Sequence, residues 1–231
     1  MIWGYESILT IVLAVLALLI TVGAQININF TYDKYKRVKT KKGYTGQEVA
    51  RKILDANGLK DVYVVEVRGK LTDHYDPSKK LIKLSSDIYN GTSVASMAVA
   101  AHECGHAIQD KEGYTFFRIR SALVPVVNFI SYLGYFGLIV SLIGGLTGYI
   151  KLSILILFAA VVFQLVTLPV EFNASNRGKK ELDTLNLSYD NDKQGISKVL
   201  SAAAMTYVAS LLSSLLQLLR LIIILGNRDR D

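Results

Sequence analysis

Four long apolar blocks interrupt this chain, and they restrict what it can fold into more than any other feature. They read "ILTIVLAVLALLITVGA" (8–24), "ALVPVVNFISYLGYFGLIVSLIGGL" (122–146), "LSILILFAAVVFQLVTLPV" (152–170) and "VASLLSSLLQLLRLIIIL" (208–225). A helix needs about 20 mostly apolar residues to cross a bilayer core, so each block is long enough or nearly so. The 231 residues are 51% hydrophobic, and that fraction is gathered into blocks instead of being dispersed as in a soluble core. The first block could be the core of a signal peptide ending at "VGA". However, the preceding "MIWGYES" carries Glu6 and no Lys or Arg, and the apolar run exceeds the usual signal core. The expectation is an uncleaved anchor.

Four spans place residues 25–121 and 171–207 on one side. The first stretch holds 17 Lys and Arg and the second five, together 22 of the 26 in the chain. The residues nearest the spans agree: "DKYKRVKTKK" (33–42) follows the first and "FRIR" (117–120) precedes the second. Positive charge collects on the cytoplasmic side, so these stretches are expected there, in a bacterial-type plasma membrane. The single cysteine, Cys104, excludes an internal disulfide and fits a reducing compartment. No arginine-rich stripe with interleaved aromatics occurs, so the basic balance reads as membrane topology and not as nucleic-acid binding. The expected organisation is an anchor (1–24), a cytosolic part (25–121), a transmembrane hairpin (122–170), a second cytosolic part (171–207) and a last transmembrane helix with a short tail (208–231).

Within the polar stretches, "TGQEVARKILDANGL" (45–59) predicts a helix. Thr45 and Glu48 form a capping box, and Gly58 is the left-handed stop. "VYVVEVRG" (62–69) and "KLIKLS" (80–85) predict strands, with "HYDPSKK" supplying the turn. "NGTSVASMAVAAHECGHAIQDKEG" (90–113) predicts a helix capped by Thr92 or Ser93 and ended by Gly113.

That last helix carries the chemistry. Two of the three histidines, His102 and His106, stand four residues apart in "AHECGHAIQ". On a helix they lie one above the other, about 6 Å apart along the axis, so two imidazoles can hold one zinc ion from the same side. The bland alternative is a pair of satisfied core histidines. Glu103 is rotated about 100° from His102 and flanks such an ion as a general base would. Cys104 points nearly the opposite way and reads as a buried apolar filler, beside the small Gly105. A third ligand must come from elsewhere. His74 sits in a turn that would have to fold back. The better candidate is Glu171 in "LPVEFNASNRGKKEL" (168–182), at the mouth of the third span, near the start of a helix that Pro169 can open.

"HECGH", a hydrophobic hairpin and "EFNAS" together resemble the HtpX-type and CaaX-prenyl-protease-type membrane metallopeptidases. In those, two histidines and the glutamate of an E-x-x-x-D helix bind zinc. More closely, "LTDHYDPSKKLIKLS", "AAHECGHAIQD", "LPVEFNAS" and "LQLLRL" resemble the YugP family of membrane zinc metallopeptidases over nearly the whole chain. The resemblance implies His102, His106 and Glu171 as ligands of one Zn2+ and Glu103 as catalytic base. Where the HtpX pattern has its Asp, this chain has Ser175, which can exchange one hydrogen bond but brings no charge to orient a histidine. Asn173 or Asn176 is then a candidate to share that role.

The expected fold is an α+β membrane protein. Four transmembrane helices carry a cytosolic, gluzincin-like zinc-protease domain made of a site helix and a small β-sheet. The expected function is peptide-bond hydrolysis in a peptide or protein substrate at the membrane, by a water activated on zinc with Glu103 as base. His74 is a candidate oxyanion donor or substrate contact, and strand 80–85 a candidate to take substrate as an added strand. Arg220 is expected to snorkel to the outer interface. An intramembrane protease is disfavoured, because the apolar stretch around the motif (94–108) is only 15 residues between polar flanks. A non-catalytic zinc-binding scaffold would be marked by loss of the base, and Glu103 is present.

Overall fold

The computed structural model describes residues 2–144 and 149–228. In chain order the elements are α1 (Ile2–Lys36), α2 (Gly46–Ala56), β1 (Tyr63–Val67), β2 (His74–Asp76), β3 (Leu81–Ser85), α3 (Ser86–Tyr89), α4 (Val94–Lys111), α5 (Thr115–Gly144), α6 (Tyr149–Thr184) and α7 (Asp190–Arg228). The chain is mostly helical with one small sheet, and it divides into two compact units.

The first unit comprises Met1–Gln25, Ile119–Leu168 and Thr206–Asp231. Its helices turn large apolar side chains outward, among them Ile8, Leu18, Leu19, Leu155, Phe158 and Leu165. Contact between α1 and α7 is made at small residues: Ala17 is buried and its carbonyl accepts a hydrogen bond from Ser213 Oγ at 3.3 Å. Such small-residue contacts suit helices packed in an apolar solvent. Among the described residues three helical stretches are long and apolar enough to cross a membrane, Ile8–Lys36, Leu152–Thr184 and Asp190–Gly226. The expected count was four. The other block, 122–146, follows α5 into residues that lie outside the described ones.

The second unit, Ile26–Arg118 and Pro169–Met205, has a packed core. Val49, Ile53 and Leu54 of α2 are fully buried, on the face that their spacing predicts. They join Ile82 and Leu84 of β3, Met97, Ala98 and Ala101 of α4, and Leu182 of α6. The α2 cap forms as expected, with Thr45 Oγ1 accepting from the Glu48 amide and Glu48 Oε2 accepting from the Thr45 amide. Gly58 and Gly113 follow their helices at φ +68° and +64°, where a side chain would be strained.

The sheet order is β1–β3–β2, with β1 parallel and β2 antiparallel to β3. Three readings change here. "HYD" is not turn but the strand β2, and the reversal is confined to Pro77–Lys80, with Lys80 at φ +50°. The strand expected at 80–85 is the central one, so both its edges are already hydrogen-bonded and it cannot accept an added strand. Pro169 does not open a helix, because α6 runs through it from Tyr149 to Thr184. Neighbouring packing compensates the one lost hydrogen bond of a proline in such a long apolar helix.

Candidate metal centre

Ser93 caps the helix that presents the motif. Its hydroxyl accepts from the Ser96 amide at 3.1 Å, which fixes where α4 begins and hence which residues share a face. One face is core: Met97, Ala100, Ala101, Cys104 and Ala107 are all fully buried. Cys104 lies in that face, its Sγ 3.6 Å from the Ala50 carbonyl, and burial pushes its thiol well up from the ordinary range. It lies on the core face and is not among the clustered ligand atoms, as its helical position predicts.

The other face meets α6 at very close range. A Cβ on Gly105 would sit 2.2 Å from the Ala174 carbonyl oxygen, and one on Gly178 would sit 2.6 Å from the Ala101 carbonyl oxygen. Two glycines thus let the backbones of α4 and α6 touch, and this approach brings Glu171 to the histidines. Glu171 Oε2 lies 3.3 Å from His102 Nε2 and 3.6 Å from His106 Nε2. One ligand atom of each residue falls within 4.8 Å of the others. The imidazole rings stand edge to face, 4.7 Å between centroids and 84° between planes.

This donor set fits a divalent metal. Four ligands at about 2.0–2.1 Å around zinc stand about 3.3 Å apart, close to both nitrogen–oxygen separations here. Both Nδ1 atoms are engaged elsewhere, His102 with Ser175 Oγ and His106 with Gln109 Oε1, each at 3.0 Å. That leaves Nε2 of each ring toward the carboxylate. Glu171 is 1% exposed, and a buried carboxylate oxygen facing two imidazole nitrogens is a place where a cation is stabilised. Two nitrogens and one carboxylate oxygen are the ligand types of a catalytic zinc site with its fourth position open. Glu103 is 6% exposed on the adjoining strip of the helix.

Ser175 stands where sequence comparison expects an Asp, and it reaches His102. Asn173 Oδ1 accepts from Gln109 Nε2 at 2.9 Å, so Asn173 supports the residue that reaches His106. His74 is exposed on β2, with Nδ1 2.8 Å from the Thr72 carbonyl, and it is not among the clustered ligand atoms. Two neighbours were not foreseen. Gln109, fully buried, is the partner of His106. Phe117 packs 6.1 Å from the His106 ring and 6.4 Å from Tyr75 of β2. Gln109 could have been found as the polar residue one helical turn beyond His106 on the same face.

Paired imidazoles on one helix, an intervening glutamate and a carboxylate from a second helix define a protein of the zinc-metallopeptidase class. The comparisons agree: the chain belongs to the family described as "Putative neutral zinc metallopeptidase", which matches residues 10–226. It is 45% identical over 224 residues to a protein of Bacillus subtilis (strain 168) named "Putative membrane protease YugP", covering 96% of this chain and 100% of the relative. No solved structure matches the chain.

Proposed function

We propose that this protein is an integral-membrane zinc endopeptidase whose centre faces the cytoplasm. The observation that carries the reading is the convergence of His102, His106 and Glu171 within 4.8 Å, next to Glu103. One zinc ion held by those three residues would supply Lewis acidity to a water and to the scissile carbonyl. Glu103 takes the proton of the attacking water and returns it to the leaving nitrogen. His102 and His106 hold their rings fixed through Ser175 and Gln109, so that no reorganisation is needed as charge develops.

Three long apolar helices, with α5 as a fourth span, would anchor the protein in a bilayer, and the relative is named a putative membrane protease. The cytosolic orientation rests on the 22 of 26 Lys and Arg in 25–121 and 171–207. The substrate is a peptide or protein presented at the membrane. His74 has no part in the metal set in this reading.

Glu103→Gln in the full-length protein tests it. The variant should keep its zinc while peptide hydrolysis falls by about 10²- to 10⁴-fold. Hydrolysis unchanged in this variant would overturn the assignment of the base. Wild-type protein that binds no zinc would overturn the class.

A further inference from the structure

The buried polar groups behind His106 form a chain whose hydrogen-bond directions can each be assigned. Arg177 begins it: its guanidinium pairs with Glu112 at 2.7 Å, and its Nε–H donates to Asn173 Oδ1 at 2.6 Å. Arginine has no acceptor, so the Asn173 atom facing it is the oxygen. Gln109 Nε2 donates to that same oxygen at 2.9 Å and to the Val170 carbonyl at 2.8 Å. A backbone carbonyl can only accept, so the Gln109 atom facing it is the nitrogen whatever the electron count of the amide. The Gln109 carbonyl oxygen is then left 3.0 Å from His106 Nδ1, and it too can only accept. His106 Nδ1 must therefore carry a proton, which in the neutral ring leaves the lone pair on Nε2, facing Glu171.

We propose that Gln109, held by Val170, Asn173 and Arg177, is a positioning residue that locks His106 in its metal-binding tautomer before any metal arrives. The proposal rests on the metal-centre reading and deepens it, since it names the residues that ready one ligand. At His102 the Nδ1 partner is a hydroxyl. Ser175 Oγ can donate or accept, so the contact at His102 Nδ1 fixes the ring but not its proton. Two of these links, from Gln109 to Val170 and to Asn173, tie α4 to α6, the two helices that also deliver the ligands. The same interactions that set the tautomer therefore hold Glu171 in register with His106.

The test uses full-length protein in detergent, stripped of metal, with ¹⁵N-labelled histidine. Three imidazoles give a spectrum simple enough to assign with His74→Gln and His102→Gln variants. At pH 8, above the ordinary imidazole range of about 6.5, His106 should appear as the Nδ1–H form alone. An Nε2–H ring or a charged ring at that position would overturn the proposal, with or without any zinc or protease activity. Two variants separate positioning from packing. Gln109→Met keeps the volume but removes the acceptor; it should mix the tautomers of His106 and weaken zinc binding, read by chelator competition, by about 10- to 100-fold. Gln109→Glu keeps an acceptor at His106 but loses both donations to α6, so it should keep Nδ1 protonated while losing part of the affinity. Equal behaviour of the two variants, in tautomer and in affinity, would contradict the lock. If Gln109→Met does not fold, the wild-type spectrum alone decides. Absence of zinc binding in a wild-type protein with the expected spectrum would remove the metallopeptidase reading and leave the lock standing.

Discussion

His102 and His106 share one helical face and aim Nε2 at the same Glu171 oxygen, yet they are supported in different ways. Behind His106 stands an amide with all its polar atoms committed, deep in the protein. At His102 Nδ1 stands the Ser175 hydroxyl, and the His102 side chain is 15% exposed against 7% for His106. The difference teaches that one half of the ligand pair is built into the packing of the fold, while the other is nearer to solvent and adjustable. A centre of this kind needs both, because the open coordination position must be reached from somewhere while the ligands stay in place.

The sharpest way to break this comparison is to remove each ring in turn. His102→Ala and His106→Ala should both abolish stoichiometric zinc binding, measured by metal analysis. Only His106→Ala should also lower the thermal midpoint of the metal-free protein. It strands the Gln109 carbonyl in a buried place, a loss of about 1–3 kcal/mol, whereas Ser175 can turn to another partner. Equal midpoints for the two variants would remove the asymmetry.

A smaller effect is expected where the two helices touch. Gly105→Ala puts a methyl group 2.2 Å from a carbonyl oxygen, so α6 must retreat, at about 1–3 kcal/mol of stability and with weaker zinc binding as Glu171 moves away. A variant that matches wild type in both respects would show that the close approach does not place the ligand. Next comes Ser175→Ala, for which zinc affinity should fall by less than the 10- to 100-fold typical of ligand-supporting contacts, since water can reach the more exposed ring. A larger loss here than in Gln109→Met would invert the comparison. The smallest effect belongs to Cys104→Ala, which should retain full zinc content and lose only packing, because the buried thiol faces the core.

How legible this centre was depends on how local each part is. The spacing of His102 and His106, the position of Glu103 and the inward face of Cys104 follow from helical geometry alone, and Ser93 caps the helix as its residue type suggests. Glu171 is some 65 residues away; its place at the mouth of the third span made it a candidate, and the resemblance gave it the role of ligand. Gln109 went unread because its place one turn beyond His106 marks only a possible partner, and its anchoring appears once α6 brings Val170 and Asn173 against it. Gly178 is similar: its meaning lies in the Ala101 carbonyl it must clear. Strand β2 was hidden by its three-residue length next to a turn. That β3 is central, and not an edge, is a property of pairing that no single strand's pattern records. Pro169 misled because a proline that opens a helix in a soluble protein is carried inside one in a long apolar helix.

The account's central claim is that two imidazoles of α4 and one carboxylate of α6 hold a single divalent ion. Zinc content of the purified full-length protein, measured beside Glu171→Ala under the same chelator competition, tests it most directly. The account predicts one zinc per wild-type chain and a variant that gives up its metal to the chelator. A Glu171→Ala protein that retains zinc as tightly as wild type would contradict it.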